Sequence, residues 1–392
     1  MLNLALLTPE VQQFIDLHLD RDPVELLLKP SPFPAVSMQE IAGQIQSKRK
    51  CRQKLPLWYQ TRGIYYPPPL ALEQCSSSGT AAYKASLCAG NILADLTGGA
   101  GVDSYFFSKN FREVIHIEQS AHLSETAAHN LPLLGAANVR FRCGDGMETI
   151  RRETADCIYL DPSRRTRDNR KMFLPQEYEP DFIPHLDLLI SRAPRLMIKT
   201  SPLIDLKFGV NAFKYVQAIH VVAIKNECKE VLWLLGRAPH PDPSITCASI
   251  LEARTDHFLF NFSMEENAPP VPLSGPLQYL YEPGAAILKA GAFKLLGTRF
   301  ELSKLHVNSH LYTSERPVEQ FPGRSFRILE SLTVREFGQR FKGRQVHIST
   351  RNFPENAAFI VKKFRLTEGG DDYAFFTTTE KNKRLALLCA KV

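Results

Sequence analysis

Ile92–Ser104, ILADLTGGAGVDS, decides the fold. A short apolar run ends in an acid, Asp95, and breaks into Thr97-Gly98-Gly99-Ala100-Gly101 before a second apolar stretch, Tyr105-Phe106-Phe107. This is the pattern of a strand turning tightly into a helix at the carboxyl edge of a parallel sheet, where such sheets bind ligands. Glycines let the backbone turn and let a ligand approach with no Cβ in the way. A loop that merely turns the chain would read the same, so the strands downstream of it must decide.

Two of them also end in acids. Glu118 closes VIHIE, about twenty residues past the glycines, where a carboxylate takes both ribose hydroxyls, and Gln119 is its neighbour. Asp145 closes the third strand in CGDGM beside Gly146, where a carboxylate accepts from an adenine amino group. Asp95 is expected to accept from the amino group of a methionine moiety, directly or through water. Any one of these acids alone reads as a solvated loop residue; three at the ends of three successive strands do not. A nicotinamide dinucleotide wants Gly-x-Gly-x-x-Gly, but Ser104 stands where the third glycine belongs. The pattern therefore points to S-adenosylmethionine (SAM) as the cofactor. Its candidate contacts are Asp95, Thr97, Gly98, Gly99, Gly101, Asp103, Glu118, Gln119, Asp145 and Gly146.

The fourth strand, Cys157–Asp161, ends in Tyr159-Leu160-Asp161-Pro162-Ser163-Arg164-Arg165. An Asp-Pro directly after a buried strand sets a carboxylate and a free carbonyl at the mouth of the site. Together they accept both protons of an amino group and polarise its nitrogen for in-line attack on a sulfonium methyl. Asp161, Pro162 and Tyr159 are the catalytic candidates. Arg164, Arg165, Arg167, Arg170 and Lys171 form a basic lip suited to phosphate, and Lys199 lies on the fifth strand. Arg164, Arg165 and Lys199 are the substrate-binding candidates. Carbon-5 pyrimidine methylation needs a cysteine nucleophile. None flanks Asp161 or stands in Lys199-Thr200-Ser201-Pro202 after the fifth strand, which favours a nitrogen target.

Around the site the chain alternates strand and helix from Gly90 to about Gly236, which implies an α/β doubly wound parallel sheet. Candidate strands are Ile92–Leu96, Glu113–Glu118, Val139–Cys143, Cys157–Asp161, Leu196–Lys199, His220–Ile224 and Val231–Leu235. Only a short polar turn, Lys225–Lys229, separates the last two, so they must be antiparallel neighbours. Upstream, residues 1–85 read as a helical cap, with Ser37 and Glu40 a capping box and Asp22-Pro23 an N-cap followed by Pro at the first helical position. Downstream, Ala238–Pro243 and Asn267–Pro272 read as linkers flanking a strand-like run, Ile245–Phe262. A helix over Ala285–Leu296 precedes a β-α-β-β pattern: Val346–Thr350, Glu355–Leu366, Tyr373–Thr378 and Leu385–Ala390.

The chain has 392 residues, 44% of them hydrophobic and 23% charged, with a net charge of +7. The length suits two or three domains, and the charge is compatible with a polyanionic partner. No apolar run approaches the ~20 residues of a membrane span. The start of the chain lacks a basic segment and a cleavage site, so no signal peptide is read. The eight cysteines contain no C-x-x-C pair, so no metal site and no disulfide scaffold is indicated, and a reducing cytoplasm is expected.

DLTGGAGVDS, the acid after the second strand, GDG, YLDPSRR and the reversed final hairpin resemble the class I SAM-dependent methyltransferases. More narrowly, LEQCSSSGTAAYKA (Leu72–Ala85), YEPGAAILKAGAF (Tyr281–Phe293), FPGR (Phe321–Arg324) and RNFPENAA…GGDDYAFF resemble the bacterial family that adds a ferredoxin-like module and a THUMP-like C-terminal domain. The resemblance implies a Rossmann-like methyltransferase sheet with a reversed final hairpin, an N-terminal helical cap and a C-terminal α+β ferredoxin-like/THUMP-like region. It implies boundaries of 1–85 for the cap, 86–240 for the methyltransferase domain, 241–320 for a linker and ferredoxin-like module, and 321–392 for the THUMP-like domain. It also implies an RNA partner, bound by the C-terminal region. Arg340, Lys342, Arg344, Arg351, Lys362, Lys363 and Arg365 are the expected phosphate contacts there. Lys84 matches a lysine that precedes the sheet in rRNA guanine-N2 methyltransferases, and joins the cofactor candidates on that ground. Ser163 departs from the Asp/Asn-Pro-Pro-aromatic pattern of amino-methyltransferases, leaving Tyr159 or Arg164 to stack on a base. Methylation of a protein or small molecule, and SAM binding without turnover in an RNA-binding protein, stay open as alternatives.

Overall fold

Apolar runs ending in acids build one parallel sheet. Strands β1 (Gly90–Asp95), β2 (Phe111–Glu118), β3 (Val139–Cys143), β4 (Cys157–Leu160) and β5 (Arg195–Thr200) lie in the order β3-β2-β1-β4-β5, all parallel. After them come β6 (Val216–Ile224) and β7 (Glu227–Leu235), and β7 runs antiparallel to β5 with Leu196 opposite Leu235. The turn joining β6 to β7 is Lys225-Asn226, with φ of 50° and 60°, the left-handed pair that a two-residue hairpin needs to match strand twist. The reversed final hairpin is present.

The computed structural model describes residues 1–164 and 178–392. The chain divides into one unit of Met1–Ala218 with Glu230–His240 and a second of Ile219–Lys229 with Pro241–Val392. Arg165, Arg167, Arg170 and Lys171 of the basic lip lie outside the described residues, and so does the side chain of Arg164. Among the described residues no helix is long and apolar enough to cross a membrane.

In the first unit, helices α1 (Pro9–Leu17), α2 (Pro23–Leu27), α3 (Met38–Lys54), α4 (Pro56–Gln60), α5 (Pro69–Gln74) and α6 (Ser78–Ser86) precede the sheet. Ser37 and Glu40 form the capping box of α3, and Asp22 accepts from Val24 N–H ahead of α2. These helices share the core of the sheet. Cys51, Leu55 and Trp58 belong to one buried cluster with Leu93, Tyr105, Phe107 and Tyr159, and Trp58 meets Tyr105 edge-on at 4.9 Å between ring centres. Helices α7 (Val102–Phe107), α8 (Ala121–Leu133) and α9 (Gly146–Ile150) follow β1, β2 and β3.

In the second unit, the stretch read as one run from Ile245 is a hairpin, β8 (Ser244–Ile250) and β9 (Thr255–Asn261), paired Ser244 to Asn261. It turns where Leu251 N–H donates to Arg254 O at 2.8 Å. The helix expected over Ala285–Leu296 is two, Ala285–Ala290 and Phe293–Arg299. Gly291, at φ 79°, ends the first in the left-handed conformation. A mixed sheet carries the rest: β10 (Tyr279–Pro283), β11 (Tyr312–Ser314), β12 (Gly323–Thr333), β13 (His347–Arg351), β14 (Asp372–Thr378) and β15 (Arg384–Lys391), ordered β11-β10-β12-β15-β14-β13. Strand β12 pairs with β10 from Gly323 to Arg327 and with β15 from Phe326 to Thr333. Only β13 and β14 in this set run parallel.

Candidate active site

The loop between β1 and α7 is pinned by backbone hydrogen bonds. Gly98 N–H donates to Ile117 O at 2.8 Å, and Gly101 N–H returns to Gly98 O at 2.9 Å. The His116 ring lies directly under Gly98, where a Cβ would stand 2.2 Å from Cε1. A Cβ at Gly99, whose φ is +55°, would meet nothing nearer than 3.9 Å. One side of the loop is therefore packed solid and the other is open to a ligand. Gly101 caps α7, and Gly146 abuts Leu96 O so closely that a Cβ would come within 2.4 Å.

The acids ending β2 and β3 surround that open side. Glu118 is half-buried, its Oε2 accepting from Gly99 N–H at 2.7 Å and its Oε1 from Ser120 N–H at 2.8 Å. Asp145 is exposed and caps α9 through Oδ1, which accepts from Met147 and Glu148 N–H. Gln119 and Asp145 line a cleft of about 240 Å³ with Met147, Arg151 and His185. Carboxylates oriented in this way suit a ligand bearing vicinal hydroxyls and an amino group.

Asp95 does something else. It is fully buried, accepting from Thr97 N–H at 3.1 Å and from Ser104 Oγ at 2.6 Å. The Ser104 hydroxyl also lies 3.0 Å from His116 Nδ1. Burial pushes the Asp95 carboxyl up to about 7, with the Ser104 hydrogen bond pulling back and Asp103 adding to the rise. Burial alone drives His116 down to about 4. Both Asp95 oxygens accept from the loop that follows it, so of the two contacts expected with a methionine amino group, direct or through water, the carboxylate is not free for the direct one.

Asp161, ending β4, is suspended from the loop: its N–H donates to Thr97 Oγ1 at 2.7 Å. Its carboxylate is bound by Lys199 Nζ and is 29% exposed, and Pro162 beside it is buried. Burial works against the Lys199 charge, but Asp161, Glu230 and Asp103 outweigh it and hold the ammonium above its ordinary range.

Behind Asp161 lies a buried ionic network. Lys84, wholly buried, donates to Ser76 Oγ at 2.7 Å and to both Glu230 oxygens at 3.1 Å, and stands 3.2 Å from Asp103 Oδ1. Asp103 accepts from Ser76 and from the Tyr159 hydroxyl, each at 2.9 Å. Burial opposes the Asp103 charge, yet Lys84 and Lys199 keep its carboxyl below the ordinary range. Burial, with Asp103 beside it, pushes the Tyr159 phenol well up. Two expectations are corrected here. Lys84 neutralises buried acids instead of touching a cofactor. Tyr159, 1% exposed with its ring 5.1 Å from Phe107, faces the core and is not placed to stack on a substrate. Sequence reasoning missed Glu230, Ser76 and His116. The one available signal was an acid, Glu230, set directly before the apolar Val231-Leu232-Trp233 of a core strand.

A ferredoxin-like domain model matches residues 279–322, and a THUMP domain-like model matches residues 323–391. No curated protein matches the chain. Among solved structures the chain is similar to a candidate methyltransferase from Porphyromonas gingivalis W83, at 32% identity and a TM-score of 0.88, covering 100% of this chain and 98% of that one. It is also similar to a candidate RNA methyltransferase from Pyrococcus horikoshii, at 16% identity and a TM-score of 0.32, over 48% of this chain and 98% of that one. A candidate methyltransferase from Streptococcus mutans in complex with SAH matches at 16% identity and a TM-score of 0.30, over 40% of this chain and 94% of that one.

Proposed function

Since the chain belongs to the class I SAM-dependent methyltransferases that carry a ferredoxin-like module and a THUMP-like C-terminal domain, we propose that it methylates a nitrogen on a base of RNA with SAM as cofactor. When bound, SAM supplies a methyl carbon already activated on a sulfonium. The chain's task is then to bind, orient and manage protons. Glu118, its carboxylate fixed by Gly99 and Ser120, accepts from the ribose hydroxyls. Asp145 and Gln119 take the adenine end, over the open side of Gly99. Asp161 accepts from the target amino group and receives the proton that the nitrogen sheds on methylation. Lys199, paired with that carboxylate, keeps it aimed. In this reading residues 86–240 carry the chemistry, 1–85 complete its core, and 241–392 recruit the RNA in the cytoplasm.

One observation carries the proposal: the Asp161 N–H on Thr97 Oγ1 at 2.7 Å. It gives the acid that would face the acceptor and the glycine loop a common frame. The basic balance of the chain, +7, supports a polyanionic substrate. The test incubates purified protein and methyl-labelled SAM with total RNA from cells lacking the gene, and digests the product for mass spectrometry. One base-methylated nucleoside is expected. RNA that gains no label overturns the reading.

A further inference from the structure

Three motifs have no part in methyl transfer: YEPG (Tyr281–Gly284), FPGR (Phe321–Arg324) and Arg351-Asn352. The second unit brings them to one point. Glu282, on β10, is 1% exposed. Arg324 at the start of β12 donates from Nε to Glu282 Oε2 at 2.7 Å and from a terminal nitrogen to the same oxygen. Arg351 at the end of β13 brings Nη2 within 2.8 Å of Glu282 Oε1. Arg324 also reaches Ser349 Oγ at 3.3 Å.

Burying a carboxylate is costly unless it is paired, and a single arginine fork would pair it. This acid carries two, which leaves the trio with a net positive charge. The arginines stay 32% and 38% exposed. Each guanidinium has five donors, and Glu282 occupies a minority of them. In a neighbouring turn, His306 Nδ1 accepts from Asn308 N–H at 3.1 Å and faces the Asn352 amide, beside Arg351 in sequence, at 2.9 Å. Arg351 Nη1 also donates to Thr350 O at 3.2 Å, and the donors left over on the two guanidiniums suit phosphate oxygens.

We propose that Arg324 and Arg351, held on the buried Glu282, form an anion site that takes a phosphate of an RNA strand. The inference rests on the RNA substrate proposed for the methyltransferase site. Glu282 serves it as a positioning residue.

The test titrates the full-length protein against a short labelled single-stranded RNA across a salt series. Wild type binds with a salt-dependent constant. The double variant Glu282→Gln/Arg351→Gln, which strands no buried acid, is expected to bind several-fold more weakly, with a salt slope lower by about one. Arg351→Lys keeps the charge but loses the fork, and is expected to weaken binding without changing the slope. The control Arg254→Gln, on an exposed arginine paired with Asp256, leaves both unchanged. Thermal melting and SAM titration report whether each variant stays folded. If both variants bind RNA like wild type, the anion site is wrong and the RNA reading stands. If wild type binds no RNA even at low salt, both fall. If a polyglutamate peptide binds as tightly and is lost with the same variants, the site takes acidic protein, and the proposal is wrong.

Discussion

Gly99 and Glu118 are one hydrogen bond apart, the glycine N–H meeting Oε2 at 2.7 Å. The loop that faces the cofactor and the acid that ends β2 therefore hold a single geometry. In the proposed site, Glu118→Ala removes the ribose acceptor and releases the loop together. It is expected to weaken SAM by about 1.5–3 kcal/mol, the range for hydrogen bonds to a charged group. Isothermal titration reads this directly, and an unchanged dissociation constant would remove Glu118 from the site.

Asp161→Ala is expected to leave SAM affinity nearly intact while turnover collapses. The Thr97 anchor is to the Asp161 backbone and survives the substitution, whereas the carboxylate facing the acceptor is gone. Parallel binding and rate measurements check it. Equal losses in both would make Asp161 a cofactor residue.

Asp95 and His116, joined through Ser104, should oppose each other in pH dependence. The Asp95 carboxyl is raised to about 7 from an ordinary 3.8. Below that range folded and unfolded chains both hold its proton. From about 4 to about 7 only the folded chain does, so its contribution to stability falls as pH rises. His116 is lowered to about 4 from 6.5. Between these values only the unfolded chain holds its proton, so its contribution climbs. The two nearly cancel up to about pH 6.5. Asp95→Asn is therefore expected to gain stability relative to wild type by about 1.4 kcal/mol per pH unit between pH 4 and 7. Denaturant titrations at four pH values test this, and a difference constant with pH would reject it.

Lys84→Met takes from Asp103 and Glu230 the ammonium that both pair with directly, leaving Lys199 as the remaining cation near them. Removing one partner of a buried ionic group costs about 3–5 kcal/mol, and a loss of that size is expected in equilibrium unfolding. Adding Glu230→Gln removes one stranded charge and should recover part of it, a coupling that a double-mutant cycle measures. Strictly additive losses would mean that Lys84 and Glu230 do not interact.

The parallel strands and the reversed hairpin were legible because each strand is a short apolar run ended by an acid or a turn, a pattern tied to backbone period. The acids at β2 and β4 were legible for the same reason: strand ends mark the edge where ligands meet a sheet. What direction a side chain takes from that edge was not. Asp95 and Tyr159 belong to the same motifs, yet both point into packed protein, and only three-dimensional packing of Ser104, Phe107 and Asp103 decides it. Lys84 and Glu230 are far apart in sequence, and their pairing arises from the sheet's topology. The helix over Ala285–Leu296 failed at Gly291, where a favourable apolar period hid a residue that closes one helix and lets another begin.

Strand β12 is shared property. The boundary between the ferredoxin-like and THUMP-like matches falls at residues 322 and 323, the first step of a strand whose two edges are hydrogen-bonded to different halves of the sheet. Separating the pieces there would expose the edge of β10 and the Gly323–Arg327 edge of β12 at once, and two bare strand edges invite pairing with other chains. The two modules, separable as sequence profiles, are therefore one piece in the sheet: the ferredoxin-like part cannot be lifted out without losing the strand that closes its edge.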